Sequence, residues 1–261
     1  MSTAPWFVEF YPNGPMSIMP RLFLLAVAWL TISSALANEN WKPKQAARVI
    51  PSSMFELSDP SLEVTVWASS PHLYNPTNMD IDHAGRIWVA EGVNYRGRKG
   101  TRPAGDRIVV LQDSDGDGKC DHSHTFVQEA ELIAPLGVAV FDNVVYFSQP
   151  PDLLAYTDVD RDLKFDPETD KREVLLTGFN TINHDHGLHS LTAGPDGKFY
   201  FNNGNCGAVF TDNSDKTFYM GGTYGEGGGP KWPADHLSNT GRVSDDGHVW
   251  TSGFAVRMDP D

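Results

Sequence analysis

Three stretches of this chain repeat one pattern: Met79-Asp-Ile-Asp-His-Ala-Gly-Arg-Ile-Trp-Val89, Val138-Ala-Val-Phe-Asp-Asn-Val-Val-Tyr-Phe147 and Ser190-Leu-Thr-Ala-Gly-Pro-Asp-Gly-Lys-Phe-Tyr-Phe201. Each reads as a strand, a tight turn of Asp, Gly or Asn, and a second strand carrying an aromatic residue. Trp88, Tyr146 and Tyr200 fall at the same place, 58 and 54 residues apart. After the first two hairpins come another strand signal, an acidic loop and a further strand, so the repeating unit holds four strands. A recurring four-stranded unit is the signature of a β-propeller blade; a sandwich also supplies many short strands but does not explain the repetition.

Other runs agree. Val64, Val66 and Ala68 alternate with Thr65 and Trp67, while Ile108–Leu111, Val144–Phe147 and Glu173–Leu176 are short, β-branched or aromatic and bounded by turn residues. No amphipathic helix is predicted, and the fold class is all-β. Blades close into a ring to protect their edges, and the span from Leu62 to Asp261 holds not quite four units. Residues 60–261 are therefore expected to be a partial propeller, the N-terminal fragment of a six-bladed type.

The N-terminus reads as an export signal. Arg21 precedes the apolar run Leu22–Ile32, and Ala35-Leu-Ala37 has the small-x-small form that signal peptidase needs. The apolar run is about half of the roughly 20 residues a membrane-spanning helix requires. Residues 1–37 are expected to be a signal peptide cleaved after Ala37. Its true start is placed at Met16 or Met19, because Met1–Pro15 carries Glu9 and no basic residue. Residues 38–59 read as a linker, and the domain as exported to the periplasm or cell envelope, with no membrane attachment after cleavage. A formal charge of −14 argues against nucleic acid as a partner. The two cysteines, Cys120 and Cys206, could form one bridge in an oxidising compartment. Neither begins a CxxC or CxxCH motif, so zinc and covalent haem are not supported within this chain.

Acidic residues cluster in short loops. Asp113, Asp115, Asp117 and Asp121 occupy positions 1, 3, 5 and 9 of a DxDxDGxxD loop, with Gly118 at position 6 and Lys119 at position 7. Calcium takes six to eight hard oxygens, which alternate side chains and the Lys119 backbone carbonyl can supply, while Gly118 permits the sharp turn. An EF-hand would need Glu at position 12, where His124 stands. The expectation is a calcium loop of the hairpin kind. Asp158, Asp160, Asp162 and Asp166 repeat the spacing, but Leu163 replaces the glycine. Leucine resists a positive φ, so this second loop is expected to be weaker or remodelled, with Glu168 or Asp170 as auxiliary ligands.

Asn183-His-Asp-His-Gly-Leu-His189 places three histidines and an Asp just before a blade strand. A carboxylate beside a histidine can orient it as a general base. A metal cluster through His184, His186 and His189, or histidines that satisfy buried backbone, fit the same pattern.

The stretch Asp185–Phe201, ending in Asn203-Gly-Asn205, resembles the segment of soluble quinoprotein glucose dehydrogenases and aldose sugar dehydrogenases that carries the active-site histidine. Asn75-Pro76 through Glu91 is similar to their first blade. The span from about Ser58 resembles the N-terminal propeller of planctomycete-type membrane-bound dehydrogenases, which join it to helical repeats and a c-type haem domain. The resemblance implies that His186 removes the proton of a sugar or alcohol hydroxyl while hydride passes to pyrroloquinoline quinone (PQQ). It puts Asp185 beside it, both residues at the cofactor, and implies a haem domain as electron acceptor. Ser190 departs from the arginine these enzymes have there, and their quinone-gripping cations would lie beyond Asp261. Three readings follow: a quinone-dependent dehydrogenase, a non-catalytic calcium-stabilised module binding carbohydrate or envelope partners, and a calcium-dependent lactonase or esterase. The last needs its metal in the central channel, against which the hairpin spacing of the acidic loops counts.

Overall fold

In the computed structural model, which describes residues 51–95, 99–181, 184–212, 214–223 and 241–259, the repeated pattern builds two successive four-stranded antiparallel meanders. Blade 1 runs β1 (Pro76–Ile81), β2 (Ile87–Glu91), β3 (Arg107–Gln112) and β4 (His122–Gln128). Blade 2 runs β5 (Gly137–Phe141), β6 (Val144–Gln149), β7 (Asp152–Thr157) and β8 (Lys171–Thr177). The repeated aromatic marks the register: Trp88 faces Asp80, Tyr146 faces Ala139 and Tyr200 faces Thr192 across their hairpins. The chain divides into residues 1–40 and 41–261, and every described residue belongs to the second unit. The expected signal peptide and most of the linker lie outside the described residues. Helix is limited among the described residues to the 3₁₀ turns Ser52–Met54 and His184–His186, and no described helix is long and apolar enough to cross a membrane.

Strand alternation gives each blade two apolar faces. Trp88, Ala90, Ile108, Val110 and Phe126 of blade 1 pack against Val138, Val145, Phe147, Leu154 and Tyr156 of blade 2. Burying each such large side chain contributes about 1.5–3 kcal/mol, so this seam holds the two blades together. The inner strand β5 would present free N–H groups along one edge. Side chains of β1 cover them: Val138 N donates to Asn78 Oδ1 (3.0 Å) and Val140 N to Asp80 Oδ2 (2.8 Å). Thr77 Oγ1 donates to Pro135 O at 2.5 Å in the same row.

The third region departs from the expected meander. β9 (Leu188–Ala193) and β10 (Phe199–Asn203) form the predicted hairpin, but β10 pairs next with β14 (Phe254–Met258). Between them, β11 (Ala208–Thr211), β12 (Thr217–Gly221) and β13 (Trp250–Thr251) make a separate sheet. A reason is visible in the packing: Val209 N donates to Gly178 O, and Phe210 and Phe218 join Phe179 in the second core cluster. The β11–β12 hairpin is thereby drawn to the end of blade 2. Ser190, exposed at φ 23°, is a bulge in β9: Leu191 pairs with Phe201 and His189 with Asn202.

Val64–Ala68 is also not a strand. It is extended but makes a single cross-chain backbone bond, Cys120 N donating to Trp67 O (2.8 Å), while Trp67, Ala68 and Leu73 cover Val89, Val109 and Leu111. Cys120 lies in that cluster and Cys206 lies beside the His186 turn; both are buried, and no disulfide joins them here.

Candidate functional site

The strands run between two opposed faces, and the residues singled out in the sequence segregate between them. The 82–86 turn and both acidic loops lie at one end of the blades; Glu91, Tyr95, the His184–His186 turn and the 204–206 turn lie at the other. A strand of five or six residues separates these ends by about 17–20 Å.

At the first end, Asp113, Asp115 and Asp117 bring one carboxylate oxygen each within 4.8 Å of one another, and Asp158, Asp160 and Asp162 do the same. The loops share one hydrogen-bond scheme. Position 1 accepts from the N–H of positions 5 and 6: Asp117 N and Gly118 N donate to Asp113 (3.2 and 2.9 Å), Asp162 N and Leu163 N to Asp158 (3.2 and 2.9 Å). Position 5 accepts from position 7, Lys119 N to Asp117 and Lys164 N to Asp162, each at 2.8 Å. Leu163 adopts φ 66°, close to the glycine conformation it was expected to resist, because its side chain packs with Phe165 against the Trp88–Phe126–Tyr156 core.

The ninth positions lie outside these trios. Asp121 accepts from Ser114 N (3.0 Å) and Ser114 Oγ (2.6 Å), and these bonds hold its carboxyl below the usual range. In the second loop that task falls to Asp170, which accepts from Val159 N and Asp166 N, both at 2.8 Å. Asp166 accepts from Glu168 N. Asp170, expected alternatively with Glu168 as an auxiliary ligand, accepts these bonds as the cap of the loop. Asp158 is 3% exposed, and burial pushes its carboxyl up.

At the opposite face, His186 sits in the turn before β9. Its Nδ1 donates to Asn205 Oδ1 (2.5 Å), and Asn205 Nδ2 donates to Thr223 Oγ1 (3.2 Å), which orients the amide with its oxygen toward the ring. A proton on Nδ1 leaves Nε2 with the lone pair, the form a proton acceptor needs. Asp185 accepts from Tyr95 Oη, and His189 Nε2 donates to the Asp185 carbonyl (3.0 Å). The His189 nitrogen so engaged serves backbone, not a metal. Asn183 and the His184 side chain lie outside the described residues. Gly204 is required here: a Cβ would sit 2.6 Å from the His186 carbonyl.

Sequence reading missed Tyr95, Asn205 and a buried network beneath Tyr95. Glu91 accepts from Arg102 Nη1 (2.7 Å), Arg107 Nε (2.8 Å) and Tyr74 N (2.8 Å), while Asp106 accepts from Asn94 N and Ala134 N. Burial raises the Asp106 carboxyl. A signal was present for Asn205, which closes the quoted Asn203-Gly-Asn205; Tyr95 had none beyond its place just after β2.

No curated protein sequence matches the chain. Among solved structures it is similar to a Trichoderma reesei carbohydrate-active enzyme of family AA12, at 21% identity over 52% of this chain and 31% of that one, with a TM-score of 0.38. It is also similar to an oxidoreductase of Thermus thermophilus described as a glucose dehydrogenase, at 18% identity over 51% and 40%, TM-score 0.34. A third is the virginiamycin B lyase of Staphylococcus aureus, at 13% identity over 72% and 71%, TM-score 0.28. The chain thus matches less than half the length of the first two. A family model for a domain of unknown function, DUF7133, matches residues 52–224, and the chain belongs to that family.

Proposed function

We propose that this chain is an exported, calcium-stapled partial propeller whose His186 accepts the hydroxyl proton of a sugar or alcohol during its oxidation. The observation that carries the reading is the His186–Asn205–Thr223 relay, which leaves Nε2 as the basic nitrogen at the face opposite the acidic loops. Asp185, held by Tyr95, completes the polar turn. Calcium is assigned to Asp113, Asp115 and Asp117 with the Lys119 carbonyl, and to Asp158, Asp160 and Asp162, where converging hard oxygens match its preference. At that end of the strands it would brace hairpins and take no part in chemistry.

Oxidising an alcohol releases a proton and a hydride, and the resemblance assigns the hydride to PQQ. That group carries three carboxylates and needs cations. Arg102 and Arg107 at this face both bond Glu91, so the described residues do not fit it alone. The proposal for this chain is therefore restricted to proton acceptance. The quinone grip, further blades and a haem electron acceptor are assigned to a longer parent polypeptide.

The test is dye-linked oxidation of a sugar and alcohol panel by the longer parent polypeptide after reconstitution with PQQ and calcium. His186→Ala should lower turnover by about 10²–10⁴-fold, the range for losing a positioned general base. A folded, calcium- and PQQ-loaded parent polypeptide with no turnover on any substrate would overturn the reading. Glycan binding that persists in His186→Ala would then identify a non-catalytic binding module.

A further inference from the structure

We infer that Tyr95 is a positioning residue of the site at Asp185 and His186, held in place by the buried network beneath it. The inference rests on the proposed reading of that site. Tyr95 and Asp185 are 90 residues apart, and the phenol donates to Asp185 Oδ1 across blades. What places the phenol is unusual for a surface turn. Gly92 N donates to Asn75 O and Tyr95 N to Gly92 O, so the chain turns as it leaves β2. Asn94 N donates to Asp106, Arg102 N donates to Asn94 Oδ1, and Asn94 Nδ2 donates to Arg102 O. Arg102 then pairs with Glu91. Glu91, Asn94, Arg102 and Asp106 are each at most 3% exposed.

Charged groups buried this deeply are costly unless hydrogen-bonded on all sides, and replacing them by apolar residues is often neutral or stabilising. Packing alone does not call for them. Together they tie Glu91 and Asn94 to Arg102 and Asp106, and Tyr95, next to Asn94, is the side chain through which this network reaches the His186 turn. The phenol holds the Asp185 carboxylate and His189 holds its carbonyl, so both bonds anchor the residue next to His186.

Tyr95→Phe removes the hydroxyl and keeps the ring. With catalysis as read, it should lower kcat by about tenfold and leave KM within about twofold, because a misplaced catalytic group costs turnover more than binding. Independently of turnover, the His186 ring nitrogens, identified by their loss in His186→Ala, should shift in the histidine ¹⁵N spectrum of Tyr95→Phe, while those of His72, His122 and His124 stay in place. Asp185→Asn, which changes the acceptor, should displace the same signals and serves if Tyr95→Phe folds poorly. Unmoved His186 signals in both variants would overturn the inference. Absence of turnover in the unaltered, PQQ-reconstituted parent polypeptide, in which kcat and KM are read, would overturn the dehydrogenase reading instead, leaving the ring signals to decide the role of Tyr95.

Discussion

Two loops with the same carboxylate spacing and the same bonds to their first and fifth positions have different surroundings. Asp113–Asp121 hangs at the edge of blade 1, with a Cβ at Gly118 meeting nothing within 4 Å. Asp158–Asp166 is wedged into the seam between blades: Phe165 N donates to Phe126 O (2.8 Å) and His124 Nε2 to Leu163 O (3.0 Å), both partners on β4. The position-8 N–H does the same work in each. In the second loop it bonds the outer strand of the preceding blade, and in the first it bonds Trp67, so the extended segment around Trp67 takes the place of such a strand. One shared carboxylate spacing is a surface staple in one blade and a rivet between blades in the other. Local sequence sets the bonding of a loop, and neighbours set what that bonding is worth.

The comparison breaks most readily at position 1. Asp158→Asn should destabilise by about 3 kcal/mol, since charged hydrogen bonds are lost in a buried setting, and Asp113→Asn by about 1 kcal/mol. Urea unfolding midpoints in calcium read both, and equal losses would mean the seam adds nothing to the second loop. A smaller effect sharpens position 6. Gly118→Leu should cost about 1 kcal/mol, the left-handed backbone penalty with no burial in return. Leu163→Gly relieves that penalty but forfeits about 2 kcal/mol of apolar contact, for a net loss of about 1 kcal/mol. If Leu163→Gly proved stabilising on thermal melting, packing would not be what holds Leu163 at positive φ.

The blades were legible because period-2 runs and Asp/Gly turns act locally: the hairpins at Trp88, Tyr146 and Tyr200 stand where the pattern put them. Val64–Ala68 has equally good alternation but no partner edge among the described residues, and alternation without an edge gives an extended cover, not a strand. Leu163 was misjudged for a related reason. Its backbone cost is visible in sequence, whereas the core cluster it packs against, which includes Phe126 and Tyr156, is built by other strands. At the site, Asp185 and His186 stood out as a cluster. Their partners did not, because Asn205 lies 19 residues and Tyr95 lies 90 residues away. The first three carboxylates of each acidic loop were legible as a set; the bond from Ser114 to Asp121, seven residues on, was not.

Calcium titration calorimetry on the chelator-treated chain tests the central claim most directly. Two loops of matched geometry predict about two equivalents of calcium, with Asp113→Asn and Asp158→Asn each abolishing one. No uptake at millimolar calcium by folded protein would show that these converging carboxylates are solvated turns, and the staple account would fall.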